Sequence, residues 1–200
     1  MTGAARVSQV RHDGLVFDID DAGPLDGPAV VLLHGFPVDR SSWRRVLPLL
    51  HSAGLRTLAP DQRGYSPGAR PHGRAAYHLG KLVEDATAVA DAAGAEQFHL
   101  VGHDWGGGIA WLTAGIRPDR VASVTVLSTP HPIAMNRALR PSRAGVDQLR
   151  RSWYMGAMQL PWLPERLLSS RLAATLARSG APGSARRAAY RCASSLGTPE

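Results

Sequence analysis

The sequence predicts an α/β protein with a mostly parallel β-sheet that carries helices on both faces. Predicted strands and helices alternate from residue 29 to residue 128, which is the pattern of such a sheet. Residues 29–34 form an apolar run, as expected for a strand that helices cover on both sides. A strand, a glycine-flanked turn and a helix follow one another around Asp104. Together these three observations predict the fold class.

Each element has its own local signal. Residues 7–10 and 15–19 predict two short strands joined by a hairpin turn at His12-Asp13-Gly14. A helix starts at Ser41 or Ser42, which can cap its first turn, and ends near Leu50. The later elements are a strand at 56–60, a Gly/Pro-rich loop at 61–71, a helix at 78–93, a strand at 97–101, a helix to about Gly115 and a strand at 121–127.

The pattern changes after residue 130. From there to residue 191 the sequence predicts only helical segments, broken by Pro161, Pro164 and Pro182. We therefore divide the chain into an α/β region at residues 1–130 and a helical region at residues 131–200.

Composition limits the possible classes of protein. The chain has 200 residues, 44% of them hydrophobic, which suits a single α/β domain with a sizeable core. The single cysteine, Cys192, excludes an internal disulfide and a cysteine-based metal cluster. The first residues lack the apolar core of a signal peptide, and no apolar run is long enough to span a membrane. We expect a cytoplasmic protein without a membrane partner.

The net charge of +7 is unevenly distributed, because residues 137–200 hold 11 Arg against 3 acidic residues. These arginines are scattered through Ala- and Leu-rich helical sequence, without a nucleic-acid recognition motif. A solvated helical surface explains them better than a nucleic-acid partner does.

The turn Gly102-His103-Asp104-Trp105-Gly106 has the Gly-x-Nu-x-Gly form of a nucleophile elbow, with an acid as the presented residue. Asp104 could instead cap the following helix, which is a common duty of aspartate. The preceding strand and the flanking glycines favour the nucleophile. A nucleotide loop is disfavoured because residues 106–108 do not fit G-x-G-x-x-G and no Lys-Ser/Thr pair follows. We expect neither a cofactor nor a metal.

The segment His34-Gly35-Phe36-Pro37 follows the buried strand and supplies a second part of the site. In this architecture one oxyanion donor comes from that loop, and the other is the N–H after the nucleophile. The candidates are the backbone N–H groups of Phe36 and Trp105. His34 is predicted to shape the loop at the pocket rather than to transfer a proton, and Trp105 to line the pocket.

A carboxylate nucleophile suits attack on a saturated carbon with a good leaving group. The product is an alkyl ester of Asp104, which water then hydrolyses through a tetrahedral intermediate. That second step requires a general base, normally a histidine backed by an acid. A strained three-membered ether and a carbon–halogen bond both fit the first step.

Three motifs in order resemble the epoxide hydrolases of the α/β-hydrolase fold: His34-Gly35-Phe36-Pro37, residues 61–66 (Asp-Gln-Arg-Gly-Tyr-Ser) and residues 102–107 (Gly-His-Asp-Trp-Gly-Gly). The resemblance extends to Ser152-Trp153-Tyr154-Met155 and covers roughly residues 10–190. It implies Asp104 as nucleophile and Tyr154 as a cap tyrosine that donates a proton to the epoxide oxygen. It also implies a small hydrophobic substrate, with residues 1–130 as the first part of the core and 131–200 as a partial helical cap.

Two other functions stay open from the sequence. Haloalkane dehalogenases share the Asp-Trp elbow but usually carry Asn where this chain has Phe36, and a tyrosine donor has no purpose for a halide. The resemblance implies eight strands and a catalytic histidine after the last one, whereas this sequence predicts six strands and none of its eight histidines occupies such a position. We therefore expect a chain truncated within the cap, and a catalytically inactive fragment that binds hydrophobic ligands is the third alternative.

Overall fold

In the computed structural model, residues 5–138 and 143–151 are described, and Tyr154 lies outside them. The chain divides into two compact units, Met1–Thr129 and Pro130–Glu200. The first unit contains strands β1 (Gln9–His12), β2 (Leu15–Ala22), β3 (Ala29–Leu33), β4 (Arg56–Pro60), β5 (Phe98–His103) and β6 (Val121–Leu127), helices α1 (Leu47–Ser52), α2 (Leu79–Ala92) and α3 (Trp105–Ile116), and 3₁₀ helices at Arg40–Arg45 and Arg74–Tyr77. The described part of the second unit contains α4 (Pro132–Ala138) and α5 (Arg143–Arg151).

None of the helices within the described ranges combines the length and the apolar character that crossing a membrane would require.

The six strands form one sheet in the order β1-β2-β4-β3-β5-β6. Strand β3 pairs in parallel with β4 and with β5, and β5 pairs in parallel with β6. The first two strands form an antiparallel hairpin, and β2 joins β4 in antiparallel register. The predicted mostly parallel sheet is confirmed, with a hairpin that extends it on one side.

Strand β3 is buried on both faces of this sheet. Val31 and Leu33 pack in a cluster with apolar residues of α2 and α3, while Val30 and Leu32 pack with Trp43 on the opposite face. Successive side chains of a strand point to opposite faces, so a strand that is covered twice has to be apolar at every position. This explains the apolar run that predicted the strand.

The helix that was predicted from Ser41 or Ser42 to Leu50 is wrong in its start and in its continuity. Asp39, and neither serine, caps it, since the Asp39 side chain accepts a hydrogen bond from Ser41 N. A 3₁₀ helix ends at Arg45, and α1 begins at Leu47 with Pro48 in its first turn. Proline has no N–H and clashes with the preceding turn, which is why one continuous helix does not form.

A buried ion pair joins β2 to β4. Arg56 donates from Nε to Asp21 Oδ1 at 3.0 Å and from Nη2 to Asp21 Oδ2 at 2.7 Å. Both side chains are almost fully buried, at 3% and 1% exposure. Burial raises the pKa of Asp21, but hydrogen bonds from Arg56, from Val7 N–H and from Arg6 outweigh it, so the pKa lies below its ordinary value of 3.8.

Replacing Asp21 by Asn is expected to destabilise the chain by about 3 kcal/mol at neutral pH, because it leaves a buried guanidinium without its counter-charge. The depressed pKa means that this stabilisation is present above pH 3.8 and is lost as the pH falls through the lower folded-state value. Urea unfolding of the unaltered chain and of Asp21→Asn should therefore show a difference in the free energy of unfolding that becomes smaller in acid. The exposed pair Arg117–Asp119 provides the control, since Asp119→Asn should change little.

Candidate functional site

The strand order places the carboxyl ends of β3 and β5 side by side, where their connections diverge. These two strands are neighbours in the sheet. The chain leaves β3 toward β4 on one side and leaves β5 toward β6 on the other. Ligands of open α/β sheets bind at such a point, where the connections diverge. The predicted loop at residues 34–37 and the predicted turn at Asp104 both lie there.

Asp104 has a strained backbone. It connects β5 directly to α3 with φ 52° and ψ −118°, in a region that residues other than glycine rarely adopt. Its N–H donates to Leu127 O at 3.1 Å, and its carbonyl accepts from Gly107 N at 2.9 Å. The Thr129 hydroxyl donates to the same carbonyl at 2.6 Å. These bonds hold the unfavourable conformation, and strain of this kind concentrates at functional sites.

Two glycines allow the turn to form. A Cβ at Gly102 would lie 2.2 Å from Gly106 O, and one at Gly106 would lie 2.3 Å from Leu33 O. Both distances are shorter than any real Cβ contact, and backbone oxygens cannot move aside. Gly106 N also donates to His34 O at 3.1 Å, which joins the start of α3 to the end of β3. The spacing of these glycines therefore follows from contacts between three elements.

The Asp104 side chain turns toward the loop after β3. Its Oδ1 accepts a hydrogen bond from Phe36 N at 3.0 Å, and the residue is half-buried. Within the described residues, the carboxylate makes no capping bond to α3. A carboxylate with one oxygen held by an N–H and its residue half-open to solvent can present the other oxygen to a reactant. After alkylation, the same N–H would face the ester carbonyl.

The other predicted site residues lie around this contact. Phe36 is half-buried and precedes Pro37 through a cis peptide bond. Trp105 is the first residue of α3, and 54% of its surface is exposed. The predicted proton donor, Tyr154, lies outside the described residues, so its placement stays a prediction. Within those residues, no cluster of three His, Cys, Asp or Glu side chains could hold a metal ion.

His34 is completely buried beneath the loop. Its Nδ1 lies 3.0 Å from Gly35 O, and its Nε2 accepts from Gln62 N at 3.2 Å. Burial lowers the pKa of His34. The ring also makes an edge contact with Tyr65, with 4.5 Å between ring centroids. Both ring nitrogens of His34 are thus engaged by backbone groups.

Sequence reasoning missed two residues that support the site. Gln62 contacts His34 through its backbone N–H and through its side-chain amide, which donates to His34 O. Thr129 follows β6, and its hydroxyl donates to the carbonyl of Asp104. Gln62 lies within one of the three motifs, which is a weak signal. No sequence signal points to Thr129, because its partner is 25 residues away.

Replacing Thr129 by Val is expected to lower stability by about 1 kcal/mol, since one hydrogen bond to the strained residue is lost and the shape is kept. Modification of Asp104 by an electrophile should also slow, because the turn that presents the carboxylate is held less firmly. Urea unfolding and timed intact-mass spectra measure the two effects. Thr113→Val is the matched control, since the Thr113 hydroxyl binds Ile109 O within α3. Equal modification rates in both variants would contradict the role of Thr129.

The chain is similar to known proteins over most of its length. Residues 28–189 match the family model described as alpha/beta hydrolase fold. Epoxide hydrolase B of Mycobacterium tuberculosis is 49% identical over 130 residues, 65% of this chain and 36% of the relative. The AB hydrolase superfamily protein YfhM of Bacillus subtilis is 36% identical over 159 residues, 80% of this chain and 54% of the relative.

A solved structure shows the same fold. The crystal structure of epoxide hydrolase A from Mycobacterium thermoresistibile superposes with a TM-score of 0.71 at 34% identity and covers 84% of this chain and 53% of that one. The chain thus spans about a third to a half of the length of these relatives. The family match over most of the chain, the six-stranded sheet and the strained turn at Asp104 lead to one conclusion: the chain belongs to the α/β-hydrolase fold family and is epoxide hydrolase-like.

Proposed function

We propose that Asp104 opens epoxides by forming an alkyl ester, the first half of epoxide hydrolysis. The observation that supports this most directly is the 3.0 Å hydrogen bond from Phe36 N–H to Asp104 Oδ1 on a residue with φ 52°. The strained backbone presents the carboxylate, and the N–H orients it. Relatives that carry the name epoxide hydrolase support an epoxide as the proposed substrate class.

The first step is the opening of the epoxide ring by Asp104. The free oxygen of the Asp104 carboxylate attacks a carbon of the three-membered ring, and that carbon's bond to the epoxide oxygen breaks. The electron pair stays on the epoxide oxygen, which takes a proton from the Tyr154 hydroxyl. The product is a hydroxyalkyl ester of Asp104. A small hydrophobic epoxide is the proposed substrate class, and water is the second reactant.

The second step is attack of water on the carbonyl carbon of this ester. The backbone N–H groups of Phe36 and Trp105 are proposed to stabilise the negative charge on the carbonyl oxygen. Collapse of the intermediate breaks the bond to the alkyl oxygen, which takes up the proton removed from water and leaves as the diol. The Asp104 carboxylic acid returns its proton to the Tyr154 phenolate, so both groups are restored. The step also needs a base to take the proton of water. His34 cannot supply it, because both of its ring nitrogens are engaged. If no other group of this chain takes that proton, the ester accumulates and its mass can be measured.

Intact-mass spectrometry after incubation with styrene oxide, and separately with a bromoalkane, tests the proposal. We expect the epoxide to add its own mass once, and peptide mapping to place it on Asp104. If product forms, a single turnover in H₂¹⁸O should leave the label on the Asp104 carboxylate rather than on the diol. Adducts from the bromoalkane alone would favour dehalogenation. A folded chain without adducts from either reagent would favour an inactive, ligand-binding fragment.

Replacing Tyr154 by Phe is expected to slow modification by styrene oxide about a hundredfold, which is a typical contribution of general acid catalysis. Modification by the bromoalkane should keep its rate, because a bromide leaving group needs no proton. Timed mass spectra measure the rate of modification by styrene oxide relative to the rate with the bromoalkane. Tyr77→Phe in the 3₁₀ helix Arg74–Tyr77 is the control. An equal loss with both reagents would assign Tyr154 a structural role instead.

A further inference from the structure

We propose that His34 is a positioning residue, whose Nδ1–H tautomer holds the Gly35–Phe36 peptide group with its N–H facing the Asp104 carboxylate. This inference rests on the proposed function of Asp104, and its evidence is the set of contacts that the loop makes. It assigns the histidine of the first motif a function in orienting the oxyanion donor, without any transfer of protons.

The two hydrogen bonds of the loop lie at opposite ends of one peptide group. Gly35 O lies 3.0 Å from His34 Nδ1, and Phe36 N lies 3.0 Å from Asp104 Oδ1. In a planar trans peptide the C=O and the N–H point in opposite directions. A rotation that removed the carbonyl from the imidazole would therefore also remove the N–H from the carboxylate. Holding one end of this group orients the other end.

The partners of the ring determine its tautomer. Gly35 O can only accept a hydrogen bond, so Nδ1 must carry the proton. Gln62 N–H can only donate, so Nε2 must present its lone pair. The opposite tautomer would place two lone pairs against each other at Gly35 and two protons against each other at Gln62. Only the neutral Nδ1–H form satisfies both contacts in this fully buried position.

Gln62 also anchors the backbone of His34. Its side-chain amide donates to His34 O, and Gly106 N donates to the same oxygen at 3.1 Å. Both lone pairs of that carbonyl are thus used, one by the loop after β4 and one by the helix that follows the nucleophile. The edge contact with Tyr65 restrains the ring further. The imidazole is therefore a fixed point from which the next peptide group can be oriented.

The loop needs such a fixed point because of Gly35. A Cβ there would lie 2.5 Å from Asp104 Cβ and 2.8 Å from its Oδ1, so only glycine allows this close approach. Glycine also adopts a wide range of backbone angles, and the peptide group after it can rotate at little steric cost. Gly35 thus permits the contact between Phe36 N–H and the Asp104 carboxylate, and its flexibility also permits that contact to be lost. The contact of His34 Nδ1 with Gly35 O counteracts this freedom, together with the hydrogen bond that Val38 N donates to the same oxygen at 3.2 Å.

The first test is independent of reactivity. Long-range ¹H–¹⁵N NMR spectra of the full chain at neutral pH distinguish the protonated from the unprotonated nitrogen of each imidazole. We expect His34 to carry its proton on Nδ1 and to have an unprotonated Nε2. An Nε2–H tautomer, or a doubly protonated ring, would overturn the inference. Since no reagent is used, this result stands whether or not Asp104 reacts with epoxides.

The second test compares two amides that differ by one methylene group. His34→Asn places an N–H close to the position of Nδ1, whereas His34→Gln places its amide near the position of Nε2. We expect the Asn variant to keep the rate of Asp104 modification by styrene oxide within about tenfold. The Gln variant should lose about a hundredfold, because the carboxylate is no longer held in the orientation for attack. Adding Asp104→Asn should shift the NMR signal of the Phe36 amide proton in the His34→Asn variant. The same addition should leave that signal unchanged in the His34→Gln variant.

Thermal unfolding of both variants separates this effect from a loss of structure. Equal modification rates in two folded variants, or a faster Gln variant, would overturn the positioning role. If neither variant folds, the tautomer in the unaltered chain decides the question. A chain with the Nδ1–H tautomer and no reaction at Asp104 would contradict the proposed function and leave the hydrogen-bonded loop as inferred.

Discussion

Asp104→Asn is expected to abolish the adduct that styrene oxide forms with the chain. The amide has nearly the same shape as the carboxylate, and its oxygen can still accept the hydrogen bond from Phe36 N. The fold should therefore survive. A neutral amide oxygen, however, lacks the charge that drives attack on a saturated carbon. Intact-mass spectra of the variant should show no added mass over a time in which the unaltered chain is fully modified.

Asp119→Asn is the matched control for this experiment. It makes the same chemical change on an exposed residue that pairs with Arg117 in the turn before β6. Its adduct should form at the rate of the unaltered chain. Persistent modification of Asp104→Asn, mapped to another residue, would place the nucleophile elsewhere. Loss of the adduct in both variants would show that net charge, rather than one carboxylate, controls the reaction.

Gly106→Ala is expected to destabilise the chain by at least about 3 kcal/mol, at the upper end of the cost of overpacking. The added Cβ would lie 2.3 Å from Leu33 O and 2.6 Å from His34 O. Both atoms belong to the backbone at the end of β3, so the clash is relieved only by moving α3 away from the sheet. That movement would also break the bond from Gly106 N to His34 O. Urea unfolding measures the loss, and a fully unfolded variant satisfies the prediction.

Gly108→Ala tests the same substitution two residues later in α3. A Cβ at Gly108 would meet no atom within 4 Å. Alanine in a helix interior is favoured over glycine by about 1 kcal/mol, so this variant should be more stable than the unaltered chain. Opposite signs for Gly106→Ala and Gly108→Ala are the expected result. A similar loss of stability in both variants would mean that alanine is unfavourable throughout the first turn of α3, and that contact with β3 is not the cause.

Much of this fold follows from local patterns. The apolar run of β3, the hairpin at His12-Asp13-Gly14 and the strand–turn–helix at Asp104 are each encoded by a few neighbouring residues. Local patterns failed where a single residue interrupts a period. Pro48 separates the 3₁₀ helix from α1, and Asp39 replaces the expected serine caps. Which side chain caps a helix depends on the direction in which the chain enters it, and the spacing of apolar residues does not encode that direction.

The candidate site shows the same division. The sequence pointed to Asp104, Phe36 and Trp105, because strand, turn and motif order are local signals. It did not point to Gln62 or Thr129 as supports, since each meets its partner across more than 20 residues of chain. Such contacts arise only once β3, β4, β5 and β6 lie side by side.

The sequence by itself determined the fold class, the acid at the elbow and the glycines around it. These depend on apolar periodicity and on the shape of one turn, which neighbouring residues encode. Only the tertiary structure decided that the Asp104 carboxylate meets Phe36 N–H, and that the His34 ring lies between Gly35 O and Gln62 N. Hydrogen bonds need donors and acceptors within about 3 Å. The strand order of the sheet, rather than proximity along the chain, brings these groups together.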